Sequence, residues 1–334
     1  MTKAIALLSG GLDSILATKL MLEQGIDVEA VNFVTVFCNC TSKGKSCLAS
    51  KSAADKLGIK LKVFEVSKQY FEIIKKPKHG YGRNLNPCLD CRIFMFKKAA
   101  EYMKESGASF IVTGEVLGSR PMSQRRDAMR IIERDSDLKG MIVRPLSANL
   151  LEPTIPEEKG LVDRAKLLSI RGRSRKPQIQ MAKDFGINDY PCPAGGCLLT
   201  DPGFAKRMRD LMEDKPDFST NDVHILKTGR HFRLDKGVKL VVGRDEKENE
   251  RLTNLCRKDD LCFWPSTING PVGIGRGNFN NLQILEASSI IARYSDGKLN
   301  QDITIEYEKA LSDSRKESII VKPMEEDRLA LFRI

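Results

Sequence analysis

Histidine is scarce in this sequence: His79, His224 and His231 are the only three. A hydrolase built around a histidine base is therefore an unattractive reading. No apolar run approaches the roughly 18 residues that cross a bilayer. The apolar start, Ala4 to Leu8, is too short for the core of a signal peptide and leads straight into a glycine turn. A cytoplasmic protein without a membrane span is expected. There is no internal repeat and no low-complexity tail. Acidic residues are absent from one stretch in particular: Arg164 to Lys183 holds seven Lys or Arg and no Asp or Glu. A solvated helix face normally mixes the two signs. Over the whole chain, 55 Lys and Arg outnumber 44 Asp and Glu, a net charge of +11. Such an excess favours a polyanion, nucleic acid being the commonest, and Arg171, Arg173, Arg175 and Lys176 are the candidate RNA contacts.

What is present reads as two domains, which 334 residues can supply with separate cores. Ala4–Leu8 has strand length, and Ser9–Ser14 forms a turn into a helix over Ile15–Glu23. A buried strand over Val28–Val36, a helix over Ala49–Leu57, a strand over Leu61–Val66, a helix over Ile93–Glu105 and a strand over Phe110–Thr113 follow, with Met141–Arg144 as a further strand. Strands alternating with helices imply an α/β domain with a doubly wound parallel sheet over 1–168. A basic helical stretch and a Pro/Gly loop, Tyr190–Cys197, make a connector over 169–215 with a helix at Phe204–Met212. Glycine-punctuated segments at Lys239–Val242, Leu282–Leu285, Ile303–Tyr307 and Ser318–Val321 are expected as strands of a smaller C-terminal α+β domain over 216–334.

Ser9-Gly10-Gly11-Leu12-Asp13-Ser14 lies between a strand and a helix. Glycines there let backbone N–H groups approach an anion, and the helix N-terminus adds partial positive charge. The serine hydroxyls can donate to phosphate. Asp13 would repel phosphate directly, so its expected role is through Mg²⁺. The Gly-Lys-Ser/Thr ending of a Walker loop is missing. The bland reading is a serine-capped tight turn. The whole run resembles the signature of the PP-loop ATP pyrophosphatases. That likeness implies cleavage of ATP between its α and β phosphates and transfer of adenylate to a carbonyl oxygen. Ser9, Gly10, Gly11, Leu12, Asp13 and Ser14, with Asn32, Thr113 and Gly114, are the expected ATP-binding set. Thr113-Gly114-Glu115-Val116-Leu117-Gly118-Ser119, continued by Ser123 and Gln124, resembles a run of the ThiI-type 4-thiouridine synthases. It ends a strand, where ligands bind in such sheets.

Nine cysteines, several in close pairs (Cys38 and Cys40, Cys88 and Cys91, Cys192 and Cys197), point to reactive or metal-binding thiols rather than disulfides. Cys256 and Cys262 read as packing residues. A thiol at a helix N-terminus has a lowered pKa, which is expected for Cys91. Asn86-Pro87-Cys88-Leu89-Asp90-Cys91 resembles a segment of the MnmA-type tRNA 2-thiouridylases, whose first catalytic cysteine falls on Cys91; Cys197 is favoured as the second, with Cys192 beside it. These likenesses imply an ATP-dependent tRNA sulfurtransferase in which Asp13, Cys91 and Cys197 are catalytic. Two chemistries stay open: a persulfide on one thiol resolved by the other, or a 4Fe-4S cluster held by Cys88, Cys91 and Cys197. Structural zinc, with Cys192 as fourth ligand, is the blander option. Cys38, Cys40 and Cys47 are auxiliary thiols, a second metal site, or of no function. The expected cofactors are ATP and Mg²⁺. The expected partners are tRNA, a sulfur donor (a cysteine desulfurase relay or free sulfide) and a second copy in a homodimer.

The likeness covers about residues 1–200. The N-terminal RNA-binding extension of the ThiI type is expected to be lacking, and the later half does not read as the 2-thiouridylase barrel. Residues 218–277 instead resemble the RNA-binding domain of NFACT-type proteins, through Lys227–Phe232 and Gly270–Gly275. Two alternatives remain. One is a PP-loop ligase acting on a small molecule, like the 7-cyano-7-deazaguanine synthases. The other is a non-catalytic RNA-binding protein.

Overall fold

The computed structural model describes residues 2–38, 46–190, 197–297, 301–311 and 315–334. The chain divides into two compact units, Met1–Asp201 and Pro202–Ile334. The expected connector over 169–215 is not a body of its own. Its first part packs within the first unit, and residues 202–215 belong to the second. Among the described residues no helix is long and apolar enough to cross a membrane.

The first unit runs β1 (Lys3–Leu7), α1 (Leu12–Leu22), β2 (Asp27–Val34), α2 (Ser46–Leu57), β3 (Leu61–Glu65), α3 (Ser67–Lys75), α4 (Cys88–Glu105), β4 (Phe110–Thr113), α5 (Arg126–Asp135), β5 (Ile142–Val143), α6 (Ile155–Glu158) and α7 (Lys176–Asp184). Its five strands lie in the order β3-β2-β1-β4-β5 and pair in parallel. The alternation of β1 explains the two covered faces. Ala4 and Ala6 pack with Leu12, Leu16 and Met21 of α1, while Ile5 and Leu7 pack with Ile93 and Phe96 of α4. The doubly wound α/β expectation holds. Strand order reverses between β1 and β4, so a crevice opens at their carboxyl ends. Both glycine motifs of the sequence stand at those two ends.

The second unit holds α8 (Pro202–Asp214), α9 (Thr220–Ile225), β6 (Arg230–Asp235), β7 (Val238–Val242), α10 (Glu246–Asn254), β8 (Leu261–Pro265), β9 (Gly273–Arg276), α11 (Asn281–Arg293), β10 (Ile303–Lys309), β11 (Glu317–Val321) and α12 (Glu326–Phe332). Six strands form an antiparallel sheet, β11-β10-β8-β9-β7-β6. Phe232, Leu240 and Phe263 on one face pack with Ala287, Ile290 and Ile291 of α11. One expectation fails here: Leu282–Leu285 is the first turn of α11, not a strand. Asn280 and Gln283 close a capping box, and the buried positions Gln283, Glu286, Ala287, Ile290 and Ile291 follow helical spacing. Leu282 and Leu285 point outward, so two exposed leucines imitated a core strand.

Candidate active site

The phosphate loop is shaped by its neighbours. Gly10 has φ +77°, and a Cβ there would sit 2.6 Å from the Ala49 carbonyl carbon of α2. Only glycine meets both conditions. Asn32 donates to Ser50 Oγ at 2.5 Å, fixing the α2 segment behind the loop, so its amide is engaged with protein. Ser14 Oγ donates to the Gly11 carbonyl (2.8 Å) and lies 3.2 Å from Ser9 Oγ, which is exposed. The helix begins at Leu12 rather than Ile15, so Leu12, Asp13 and Ser14 supply its first turn.

The second motif meets the first through backbone. A Cβ on Gly114 would lie 2.5 Å from the Asp13 carbonyl and from the Ser14 nitrogen. The loop beyond it is stitched to the basic segment: Gly172 N–H donates to the Leu117 carbonyl at 2.7 Å, and Leu117 bridges Arg171. This brings α7 against the phosphate loop. Burial raises the Asp13 carboxyl above its ordinary range, with Arg175, Gln178 and Arg120 opposing that shift. Asp13 Oδ1 is buried and unpartnered, as is Gln178 Oε1. Arg175, read from sequence as an RNA contact, therefore faces Asp13, whereas Arg171, Arg173 and Lys176 are exposed.

Glu115 is the buried charge that joins motif to thiols. It is 1% exposed. It accepts from Arg92 at 2.9 and 2.5 Å and from Arg144 at 3.0 Å, while Arg144 also bonds Glu133. Burial alone would raise the Glu115 carboxyl. The Arg92 and Arg144 guanidinium groups outweigh it and hold the group below the usual carboxylate range. Arg92 directly follows Cys91 and also reaches Thr113 Oγ1, at 3.4 Å. One ion-pair chain thus ties the cysteine helix to the end of β4.

Helix α4 begins at Cys88, not near Ile93, so Cys91 lies inside its first turn. Opposite it, Leu198 N–H donates to the Phe37 carbonyl (3.2 Å), Cys197 Sγ approaches the same oxygen at 3.7 Å, and Leu85 N–H donates to Leu199 O at 3.1 Å. The segment after 196 is therefore held between the end of β2 and the loop leading into α4. Cys91 and Cys197 each lie within electrostatic reach of Cys38 and Cys88, and Cys197 within reach of Cys91. Tyr70, 2% exposed, donates its hydroxyl to the Cys91 sulfur. The expected lowering of the Cys91 pKa does not occur. Burial pushes it up to about 11, against the Tyr70 hydrogen bond and Arg92. Burial likewise pushes Cys197 up to about 12 and raises Cys88, the latter opposed by Arg120. Both catalytic candidates rest as protonated thiols.

Fitted against these residues, ATP and Mg²⁺ find a glycine cradle and one carboxylate with a spare buried oxygen. The cluster does not fit in the same way. Among the described residues no three Cys, His, Asp or Glu side chains are spaced to hold a metal ion. Cys40, Cys192, Gly195 and Gly196 lie outside the described residues, as does the side chain of Cys47. Arg92, Arg120, Tyr70 and Gln178 are not among the residues that sequence reasoning singles out. Only the position of Arg92 beside Cys91 was a signal.

Comparison with known proteins agrees with this division. Residues 1–150 match the family described as thiamine biosynthesis protein (ThiI), and residues 229–333 match the NFACT protein RNA binding domain. A probable tRNA sulfurtransferase of Thermococcus kodakarensis is 33% identical over 144 residues, covering 43% of this chain and 36% of that protein. The tRNA-specific 2-thiouridylase MnmA of Pseudomonas fluorescens strain SBW25 is 23% identical over 247 residues, covering 70% of this chain and 61% of that protein. The chain thus spans 36% to 61% of the length of these curated relatives. A solved complex of a 4-thiouridine synthetase with RNA and bound ATP is a looser likeness: 19% identity, TM-score 0.39, 64% of this chain and 51% of that one. The first unit is thus similar to ThiI-type and MnmA-type proteins, and residues 229–333 of the second are similar to the NFACT RNA binding domain.

Proposed function

We propose that this chain is an ATP-dependent tRNA sulfurtransferase that adenylates a uridine carbonyl oxygen and replaces it with sulfur. The observation that carries the reading is the ion-pair chain Cys91-Arg92–Glu115, which links the thiol group to the strand end packed on the phosphate loop. A small-molecule ligase has no use for thiols at that edge, and a non-catalytic RNA-binding protein has no use for an intact phosphate loop.

In this reading the uridine oxygen attacks the α-phosphorus of ATP and pyrophosphate leaves. The loop from Ser9 to Ser14 and the α1 N-terminus hold the phosphates. Asp13 would hold Mg²⁺ through its spare oxygen, the ion offsetting charge on the leaving pyrophosphate. One of Cys91 and Cys197 carries a persulfide, whose outer sulfur attacks the activated carbon as AMP departs with the oxygen. The other thiol, as thiolate, attacks the inner sulfur; a disulfide forms and the thiouridine is released. Each thiol must give up its proton first; the Arg92 guanidinium favours the thiolate at Cys91, and the Leu199 backbone hydrogen bond favours it at Cys197. Tyr70 orients Cys91. The sulfur donor is a cysteine desulfurase relay that passes on sulfane sulfur as a persulfide, and the second unit and the cations Arg171, Arg173 and Lys176 each contribute to tRNA binding.

The test is pyrophosphate and AMP release from ATP with and without tRNA. Release that requires tRNA supports the reading. Release that tRNA does not change, or none under any condition, contradicts it.

A further inference from the structure

The second unit carries a pair of thiols that packing alone does not explain. Cys256 follows the end of α10 and Cys262 is the second residue of β8, and their sulfur atoms lie 3.5 Å apart. Both are partly exposed. They border an apolar group with Ile225, Val241, Leu252 and Ile274, which accounts for their burial but not for their being side by side.

The turn between them is rigidly tied. Arg257 N–H donates to Asp260 Oδ2 (2.9 Å), Asp260 N–H to the Arg257 carbonyl (3.0 Å), and Ala310 N–H to the Asp260 carbonyl (2.8 Å). Arg276 Nε reaches the same carboxylate at 3.2 Å. Cys262 is fixed from both sides, paired with Ile274 of β9 and Glu308 of β10. Two sulfurs held at 3.5 Å need to close by only about 1.5 Å to reach a disulfide bond length.

We propose that Cys256 and Cys262 are a peroxide-oxidisable dithiol that closes to a disulfide within the second unit. The two thiols are unequal. Cys256 stands at a helix C-terminus, where the backbone dipole disfavours an anion, and its S–H has two acceptors, Cys262 Sγ and the Leu252 carbonyl at 3.5 Å. Accepting the Cys256 S–H lowers the Cys262 pKa, while that bond raises the pKa of Cys256. Cys262 is therefore the attacking thiolate. Its sulfur attacks a peroxide oxygen and displaces hydroxide from hydrogen peroxide, or alkoxide from an organic hydroperoxide, giving a sulfenic acid and, with one proton, water or an alcohol. The Cys256 sulfur then attacks Cys262 Sγ. The disulfide forms, the sulfenic oxygen leaves as a second water with the Cys256 proton, and the two electrons have reduced the peroxide.

Trypsin cuts after Arg257 and Lys258, so the two cysteines fall on separate peptides, 252–257 and 259–276, which only a disulfide can join. The full chain, reduced and freed of thiol, is treated with one equivalent of hydrogen peroxide, alkylated, digested and mapped without reductant. The expected result is one joined species that dithiothreitol separates. In C256S, Cys262 stops at the sulfenic acid and is captured by dimedone; in C262S, Cys256 remains a thiol. Recovery of both peptides as alkylated monomers from the wild-type chain overturns the proposal. So does a disulfide joining either cysteine to a different one.

Discussion

The two units shift one thiol in opposite directions, Cys91 upward in the first and Cys262 downward in the second. Around Tyr70, burial dominates and pushes Cys91 and Cys197 up to about 11 and about 12. In the second unit, Cys262 has a neighbouring S–H to stabilise its anion and is shifted down. The lesson is that spacing along the chain does not set reactivity. Cys88 and Cys91 form the suggestive motif and stand in the first turn of a helix, yet their surroundings keep them protonated. Two cysteines that looked like packing form the readier nucleophile.

The sharpest way to break this contrast is substitution. C91S and C197S are each expected to abolish thiolation while ATP binding, measured by nucleotide titration, stays at wild-type affinity. C256S should leave thiolation unchanged. Thiolation surviving in both first-unit variants would remove those thiols from the chemistry. C88A sharpens the point: a persulfide route needs only Cys91 and Cys197, so activity should persist, whereas loss of activity together with bound iron would favour the cluster.

Buried and exposed ion pairs differ in what they support, and denaturation can show it. Removing the Glu115 charge leaves the Arg144 guanidinium, 4% exposed, facing only Glu133. E115Q should cost about 3–5 kcal/mol, as expected for a broken buried pair. R333A in the second unit breaks an exposed pair with Glu326 and should cost under about 1 kcal/mol. Equal losses would show that the Glu115 chain is not a distinctive support.

Alkylation rates test the thiol contrast itself. A shift of Cys91 from 9.0 to about 11 implies a roughly 100-fold smaller thiolate fraction near neutral pH. Cys262 should therefore react first with iodoacetamide. The Cys91 rate should climb with pH toward about 11, because its folded-state pKa is raised and the thiolate appears only as that pKa is approached. Comparable rates at pH 7 would contradict the burial argument. The smallest effect concerns RNA. Removing Arg171, Arg173 and Lys176 together should flatten the log–log salt dependence of tRNA binding by about one unit for each phosphate left without its cation. Arg175, which faces Asp13, should change nucleotide affinity more than that slope.

Much of the first unit was legible because its sheet obeys local rules. Ala4 to Leu8 alternates in size for two covered faces, and the glycines of both motifs are dictated by close backbone approach. The parts that stayed hidden depend on partners distant in sequence. Nothing near Glu115 announces Arg92 and Arg144, and nothing near Cys197 announces its docking on Phe37. In the second unit the antiparallel strands β6 and β9 are short and mixed in polarity, and β8 is a five-residue segment ending in proline. Leu282–Leu285 shows the opposite error: an apolar run whose leucines face outward while Gln283 and Glu286 turn inward.

The central claim is that the thiol group and the phosphate loop act on one tRNA uridine. The most direct measurement incubates tRNA with the reduced protein, ATP, Mg²⁺ and a persulfide donor, followed by nucleoside mass spectrometry. The account predicts a uridine that gains one sulfur in place of one oxygen, only when ATP is present and not with C91S or C197S. Unmodified uridine in the complete reaction, or sulfur incorporation that persists without ATP, would contradict it.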